Sequence, residues 1–288
     1  MKNIKLYYFK DMPNFGDALN PIICKKIFNI DVEYSDPTRC EASFIGSLLD
    51  DFLYPDRFEF PFLFLKKKLS PTVKIWGTGF ILDKNKFIQR PKNLPETYFR
   101  NVEIYAVRGL FSKARLEKIL NKSLDDVCIG DPGLLANELI ENNNIEKKYD
   151  LGIIPHHLEI KMPIFKTMQK NIPNSIIINM EADPMESIKL ISQCKAILSS
   201  AMHGLIVSDS FGIPNMRMLA SDKLIGGDYK FNDYYSVYGL DDHFKFDIRE
   251  KDFVEKNIAL IYENYKISQN KVLSIKQNLK TVFPYNNI

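Results

Sequence analysis

Short apolar runs that stop at glycine- or proline-containing turns and hand over to helical stretches recur along the whole of this 288-residue chain. Residues 4–9 read as a first strand, Asn14-Phe15-Gly16-Asp17 as a turn, and 18–28 as a helix. Residues 74–79 read as a strand ending in glycines. Residues 103–107 form another, followed by the helix Leu110–Leu120, and 127–129 a fourth that halts at Gly130-Asp131-Pro132. A strand that feeds a turn and then a helix rejoins its own sheet as a parallel neighbour, so this pattern predicts an α/β protein.

The pattern pauses at the polar run 140–149, which holds three consecutive asparagines, and then restarts. Residues 150–155, 175–179 and 196–199 read as short strands, alternating with helices at 163–171 and 184–193. The stretch 252–280 carries Leu, Ile, Val and Phe at helical spacing. The expectation is two Rossmann-like domains, 1–145 and 146–250, with a helical segment 251–288 packing back on the first.

Net charge is +3, from 39 basic and 36 acidic residues, without the basic stripe of a nucleic-acid binder. Cys24, Cys40, Cys128 and Cys194 form no C-x-x-C pair and read as free buried thiols of a reducing compartment. No apolar run reaches the length of a membrane span and residues 1–9 are too short for a signal sequence, which points to the cytoplasm. Residues 52–71, with five phenylalanines, three prolines and Lys66-Lys67-Lys68, read either as a peripheral contact with the inner membrane face or as a packed lid. There is no D-x-D, no G-x-x-x-x-G-K-[ST] and no H-E-x-x-H, and Gly77-Thr78-Gly79 lacks the third glycine of a dinucleotide fingerprint. His156 and His157 follow Pro155 at a strand end, where adjacent side chains are expected to point opposite ways.

The most informative stretch is 196–214. A strand ends at Ser200, a loop presents His203, and a helix is expected to begin near Gly204. Free N–H groups and the positive end of a helix dipole suit an anion there, and histidine can donate to a phosphate oxygen or move a proton. This block, Ser199-Ser200-Ala201-Met202-His203-Gly204 through Gly212-Ile213-Pro214, resembles the C-terminal signature of the polysaccharide pyruvyl transferase family. The resemblance extends to Asn14-Phe15-Gly16-Asp17-Ala18-Leu19, Trp76-Gly77-Thr78-Gly79, Val107-Arg108-Gly109 with Ser112, Gly130-Asp131-Pro132, and Lys230-Phe231-Asn232-Asp233-Tyr234.

The resemblance implies a fold similar to the GT-B glycosyltransferases, two Rossmann-like halves facing a cleft. It also implies transfer of pyruvate from phosphoenolpyruvate, as co-substrate, to two hydroxyls of a sugar or lipid-linked glycan, with no metal or resident cofactor. His203, Arg108 and Asp17 are then the catalytic candidates. Arg108 would grip carboxylate or phosphate in bidentate fashion. Asp17 would accept from a sugar hydroxyl or else cap its helix. Ser199, Ser200, Met202, Gly204 and Lys230 are the donor-side candidates, and Asn14, Gly16, Gly79 and His156 the acceptor-side ones. Asp131 reads as structural, and Asp233 as a substrate contact or a surface partner of Lys230. Many members carry arginine at the position of Ala201; here Arg217, Lys223 or Lys230 would have to meet the donor's charge. Ala201 also keeps open a metal-independent GT-B-type glycosyltransferase using a nucleotide sugar.

Overall fold

The computed structural model describes residues 2–10, 14–53, 70–83, 98–141, 145–240 and 244–286. Asn142-Asn143-Asn144 and most of the 52–71 segment lie outside them.

Two parallel sheets organise the chain. The first holds β1 (Lys2–Tyr7), β2 (Ile30–Tyr34), β3 (Ala42–Ser43), β4 (Val73–Trp76), β5 (Val102–Val107) and β6 (Cys128–Ile129), in spatial order β2-β1-β3-β4-β5-β6. The second holds β7 (Tyr149–Ile154), β8 (Ser175–Ile177), β9 (Cys194–Ser199), β10 (Asn215–Leu219) and β11 (Lys245–Asp247), in order β11-β10-β9-β7-β8. Counted within its own sheet, the second follows 2-1-3-4-5 and the first the same order with a sixth strand added, the flavodoxin-like order rather than the 3-2-1-4-5-6 of the dinucleotide-binding fold. Each sheet therefore has one switch point, between β1 and β3 and between β7 and β9. Beyond the carboxyl ends of those strands the flanking loops diverge and leave a crevice.

Both faces of these sheets are covered, so the central strands are nearly continuous apolar runs. One core joins the lobes: Leu6 and Trp76 of the first sheet with Phe44 just after β3, Ile154 and Ile197 of the second, and helices α1 (Phe15–Phe28) and α5 (Met202–Ser210) between them. The outer faces have cores of their own, around Phe52 and Ile75 in the first lobe and around Phe165 and Phe246 in the second.

Helices α2 (Leu110–Leu120), α3 (Pro163–Asn171) and α4 (Pro184–Ser192) fall where the sequence places them, to within a residue. Three boundaries differ. Helix α1 begins at Phe15: Asn14 is extended and its carbonyl accepts from Ala18 N at 2.9 Å, so the expected turn is already the first helical turn. Helix α5 begins at Met202, which puts His203 in its first turn rather than in a loop. The stretch 252–280 is broken into a 3-10 turn, α7 (Ile258–Asn264) and α8 (Gln269–Thr281). The chain leaves helical conformation at Tyr265, whose hydroxyl reaches back 3.0 Å to the buried Asp209.

After α8 the chain returns to the first sheet. Trp76 Nε1 donates to Leu279 O at 3.0 Å, Phe283 stacks on Phe28 at 3.7 Å, and Lys2 and Lys74 sit over the Tyr285 ring. A second tie joins the lobes at α6 (Tyr229–Ser236). Asp233 on α6 receives Arg108 Nε at 2.9 Å, Ser112 Oγ at 2.6 Å and Ser112 N at 2.8 Å, and all three side chains are fully buried. Gly109 permits this contact, because a Cβ there would lie 1.7 Å from Asp233 O.

Candidate functional site

The crevices of the two sheets open onto one cavity of about 700 Å³. Its first wall comes from the end of β1 (Tyr7, Phe9), the start of α1 (Asn14 to Asp17) and the segment after β3 (Gly46, Ser47, Asp50, Asp51). Its second wall comes from the segment after β7 (His156, His157, Leu158), the start of α5 (Ala201, Met202, His203) and Lys230 of α6. Two helix N-termini thus converge on it, each with amide groups that no helical carbonyl satisfies.

His203 is 9% exposed and sits where the lobes meet. Gly16 makes room for it: a Cβ on Gly16 would lie 2.0 Å from His203 Nδ1. On the far side, Nε2 is 3.8 Å from Asp131 Oδ2, and neither atom has a hydrogen-bond partner among the described residues. Burial, with Arg108 and Lys230 nearby, pushes the imidazole down to about 3, so it is neutral. Burial pushes Asp131 up to about 6, although Gly133 N donates to its Oδ1 at 2.8 Å. An Nε2–H would face that carboxylate across 3.8 Å, so the carboxylate favours the tautomer that leaves Nδ1 as the lone-pair nitrogen beside Gly16. Asp131, read from the sequence as structural, thus also faces the His203 ring, at a distance beyond hydrogen-bond reach.

The first wall is acidic. Asp17 is 2% exposed, and its Oδ1 accepts from Phe9 N at 2.9 Å. Burial raises it to about 7, with Asp51 and Asp131 adding to the rise. Asp51 exposes its side chain along the cavity and accepts from Tyr7 OH at 2.9 Å; its enclosed surroundings push it up to about 6. The second wall is basic. Lys230 lines the cavity and, among the described residues, no acceptor reaches its ammonium. Burial, then Arg108 and Arg217, lower it to about 8.

Several sequence candidates fall elsewhere. Arg108 does not line the cavity: beyond Asp233, it donates to Ser47 Oγ at 2.6 Å and to the carbonyls of Gly46 and Phe80. Its fork is occupied by the protein, so the expected grip on substrate is corrected to an interlobe clamp. Gly79 belongs to that clamp too, since a Cβ there would meet Arg108 Cζ at 2.5 Å. Asp233 is the clamp's carboxylate, not a surface partner of Lys230. Ser199 and Gly204 form the buried turn into α5, where Ser199 Oγ accepts from Ala201 N at 3.0 Å and Gly204 packs against it. Ser200 Oγ accepts from His156 N at 2.9 Å and donates to Glu159 Oε2 at 2.5 Å. These groups shape the site from behind.

Arg217 pairs with Asp228 at 2.7 Å and stacks on Phe231, and neither it nor Lys223 lines the cavity. Of the three cations expected to meet the donor, Lys230 alone lines the cavity. The two histidines are also corrected. The strand ends at Ile154, so the chain is no longer pleated, and the rings of His156 and His157 lie 4.1 Å apart, both on the cavity. Burial lowers His156 to about 3. Asn14, Gly16, Asp17 and Met202 line the cavity as well. No helix among the described residues is long and apolar enough to cross a membrane.

Tyr7, Asp51 and Glu159 are invisible to sequence reasoning. Asp51 sits in an ordinary apolar context, Leu48-Leu49-Asp50-Asp51-Phe52, and only the return of the chain past β1 gives it a role.

The family model for polysaccharide pyruvyl transferase matches residues 14–222, a span that begins at the cap of α1 and takes in the cavity-lining segments up to β10. The chain belongs to the polysaccharide pyruvyl transferase family. It is similar to the uncharacterized protein L143 of Acanthamoeba polyphaga mimivirus, 27% identical over 271 residues that cover 93% of this chain and 82% of that protein. It is also similar to the succinoglycan biosynthesis protein ExoV of Rhizobium meliloti (strain 1021), 22% identical over 138 residues, 48% of this chain and 41% of ExoV. The matched span contains His203, Asp131, Asp17 and Asp51; Lys230 lies beyond it.

Proposed function

We propose that this chain transfers pyruvate from phosphoenolpyruvate to two hydroxyls of a sugar in a polysaccharide or its lipid-linked precursor, forming a cyclic ketal and releasing phosphate. The observation that carries this reading is the polarity of the cavity: on one wall a buried lysine that no acceptor reaches among the described residues, raised carboxyls on the other, and between them a histidine that faces a carboxylate. The family match gives the class of reaction.

On this reading the second lobe is the donor side. Lys230 and the start of α5 meet the carboxylate and phosphate of the donor, so the charge that Ala201 does not supply comes from Lys230. The first lobe is the acceptor side, where Asp17, Asn14 and Asp51 accept from sugar hydroxyls, with His156 and His157 across the cavity. We read the two lobes on one cavity as compatible with the GT-B-like arrangement that the resemblance implies.

The chemistry needs a proton for the methylene carbon of the enol ester and a base for the attacking hydroxyl. Asp17 holds a proton near neutral pH and delivers it to the methylene carbon. His203 Nδ1 takes the proton of the hydroxyl, and Asp131 balances the imidazolium. That proton leaves with phosphate. The nucleotide-sugar alternative has no observation in its favour.

The test is phosphate release from phosphoenolpyruvate across a panel of sugar acceptors, for the native protein, His203→Ala and Lys230→Met. Acceptor-dependent release, lost in His203→Ala and with a raised donor KM in Lys230→Met, is expected. Absence of release with every acceptor, together with binding of a nucleotide sugar, would overturn the reading.

A further inference from the structure

A cyclic ketal consumes two hydroxyls, and each must lose its proton to something. The roles above account for one hydroxyl proton, at His203, and one proton given to carbon, from Asp17. They leave the second hydroxyl without a base and Asp17 without the proton it gave away.

The end of β1 holds two carboxyls on the same cavity wall. Phe9 N holds Oδ1 of Asp17 and Tyr7 OH holds Oδ2 of Asp51, each at 2.9 Å. The other oxygen of each has no hydrogen-bond partner among the described residues, and both side chains line the cavity. No cation among the described residues pairs with either. The neighbouring Asp50 is different: its carboxylate is held by Arg115 at 2.8 Å. The two carboxyls are close enough that charge on Asp51 helps raise Asp17.

We propose that Asp51 is the base for the second hydroxyl and returns the proton it collects to Asp17. This rests on the reading of the chain as a ketal-forming transferase. In the first step Asp17 gives its proton to the methylene carbon while the first hydroxyl oxygen bonds to the carbon bearing the phosphate ester, and His203 takes that hydroxyl's proton. In the second step the bond from that carbon to the ester oxygen breaks. Phosphate leaves with the electron pair and the proton from His203, and an oxocarbenium remains. In the third step the second hydroxyl oxygen bonds to that carbon, and its proton passes to Asp51 and on to Asp17. All three side chains end as they began. The products are the ketal and hydrogen phosphate, with no other reactant consumed.

Asp51→Asn keeps the size and the acceptor for Tyr7 but cannot take a proton. With the second hydroxyl slow, water captures the oxocarbenium, and the resulting hemiketal collapses to pyruvate and free sugar. The experiment measures phosphate, pyruvate and ketal together, with the best acceptor for the native protein held at saturation for each variant, so that weaker acceptor binding does not enter the ratio. Asp51→Asn is expected to keep acceptor-dependent phosphate release within about tenfold while ketal falls about 100-fold and pyruvate appears in its place. Tyr7→Phe, which frees Asp51 to turn, is expected to shift the same ratio in the same direction by less. Asp17→Asn is expected to lower phosphate and ketal together. Parallel loss of phosphate and ketal in Asp51→Asn, or undiminished ketal, would overturn the assignment while leaving the transferase reading intact. A native protein that releases no phosphate with any acceptor would overturn both.

Discussion

Gly16 is the most sensitive point at which to test the placement of His203. An alanine Cβ at residue 16 would lie 2.0 Å from Nδ1 and 2.1 Å from Cε1 of His203, where ordinary contact begins at 3.4 Å. The ring would have to retreat by about 1.4 Å, the difference between 3.4 and 2.0. Retreat toward Asp131 would shorten the 3.8 Å separation of Nε2 and Oδ2 to about 2.4 Å, so the ring must swing aside instead. The effects on stability oppose each other. Alanine in a helix gains about 1 kcal/mol over glycine, and overpacking costs about 1–3 kcal/mol. Net destabilisation is therefore about 0–2 kcal/mol, and the protein stays folded. A catalytic group moved by 1 Å costs on the order of 100-fold in rate. Gly16→Ala should thus show kcat for acceptor-dependent phosphate release down about 100-fold, with Tm lowered by only a few degrees. Undiminished kcat at unchanged Tm would refute the account of Gly16 as the seat of His203.

Arg108→Ala breaks a fully buried ion pair and should cost about 3–5 kcal/mol, seen as a lower midpoint in urea unfolding, and Arg108→Ala with Asp233→Ala should cost less than the sum of the two. Lys230 must be charged to hold an anionic donor, so donor KM should rise as pH passes about 8, and Lys230→Arg should move that rise to higher pH. Asp209 accepts from Tyr234, Asn215 and Tyr265 in a fully buried setting that raises it to about 7. The folded state therefore binds more protons than the unfolded one between the ordinary carboxyl value and 7, and stability falls as pH rises through that window. Asp209→Asn should lose that contribution, so its Tm relative to the native protein should improve steadily from pH 4 to pH 7.

The repeating strand–turn–helix pattern made the parallel α/β architecture legible, because each apolar run and each helix is a local property of a dozen residues. Helices Leu110–Leu120 and Pro163–Asn171 were bounded correctly by their flanking Gly and Pro. Strand order was not legible. It depends on β3, whose two residues Ala42–Ser43 join β1 to β4 and carry no pattern of their own. The strand Asn215–Leu219 was missed because Asn and Arg interrupt its apolar run, and both turn out to be buried and paired. Within the site, His203 and Asp17 announced themselves through turn chemistry. Arg108 misled, because its carboxylate partner could be a ligand or a residue 125 positions away, and a single sequence does not distinguish them. The same blindness hid the Asp131 contact with His203.

The aromatic face of the first sheet has a consequence in time. Trp76 waits for Leu279, 203 positions further along the chain, and Phe28 and Phe44 wait for Phe283. At about 5–20 residues per second, the ribosome takes roughly 10–40 s to make that stretch. From the completion of β6 at Ile129 onward the strands of the first lobe have all been made, yet the aromatic cluster on one of their faces lacks its C-terminal cover. A nascent chain of this protein therefore presents a ready surface to chaperones, and a translational pause anywhere in the second lobe prolongs its exposure to aggregation.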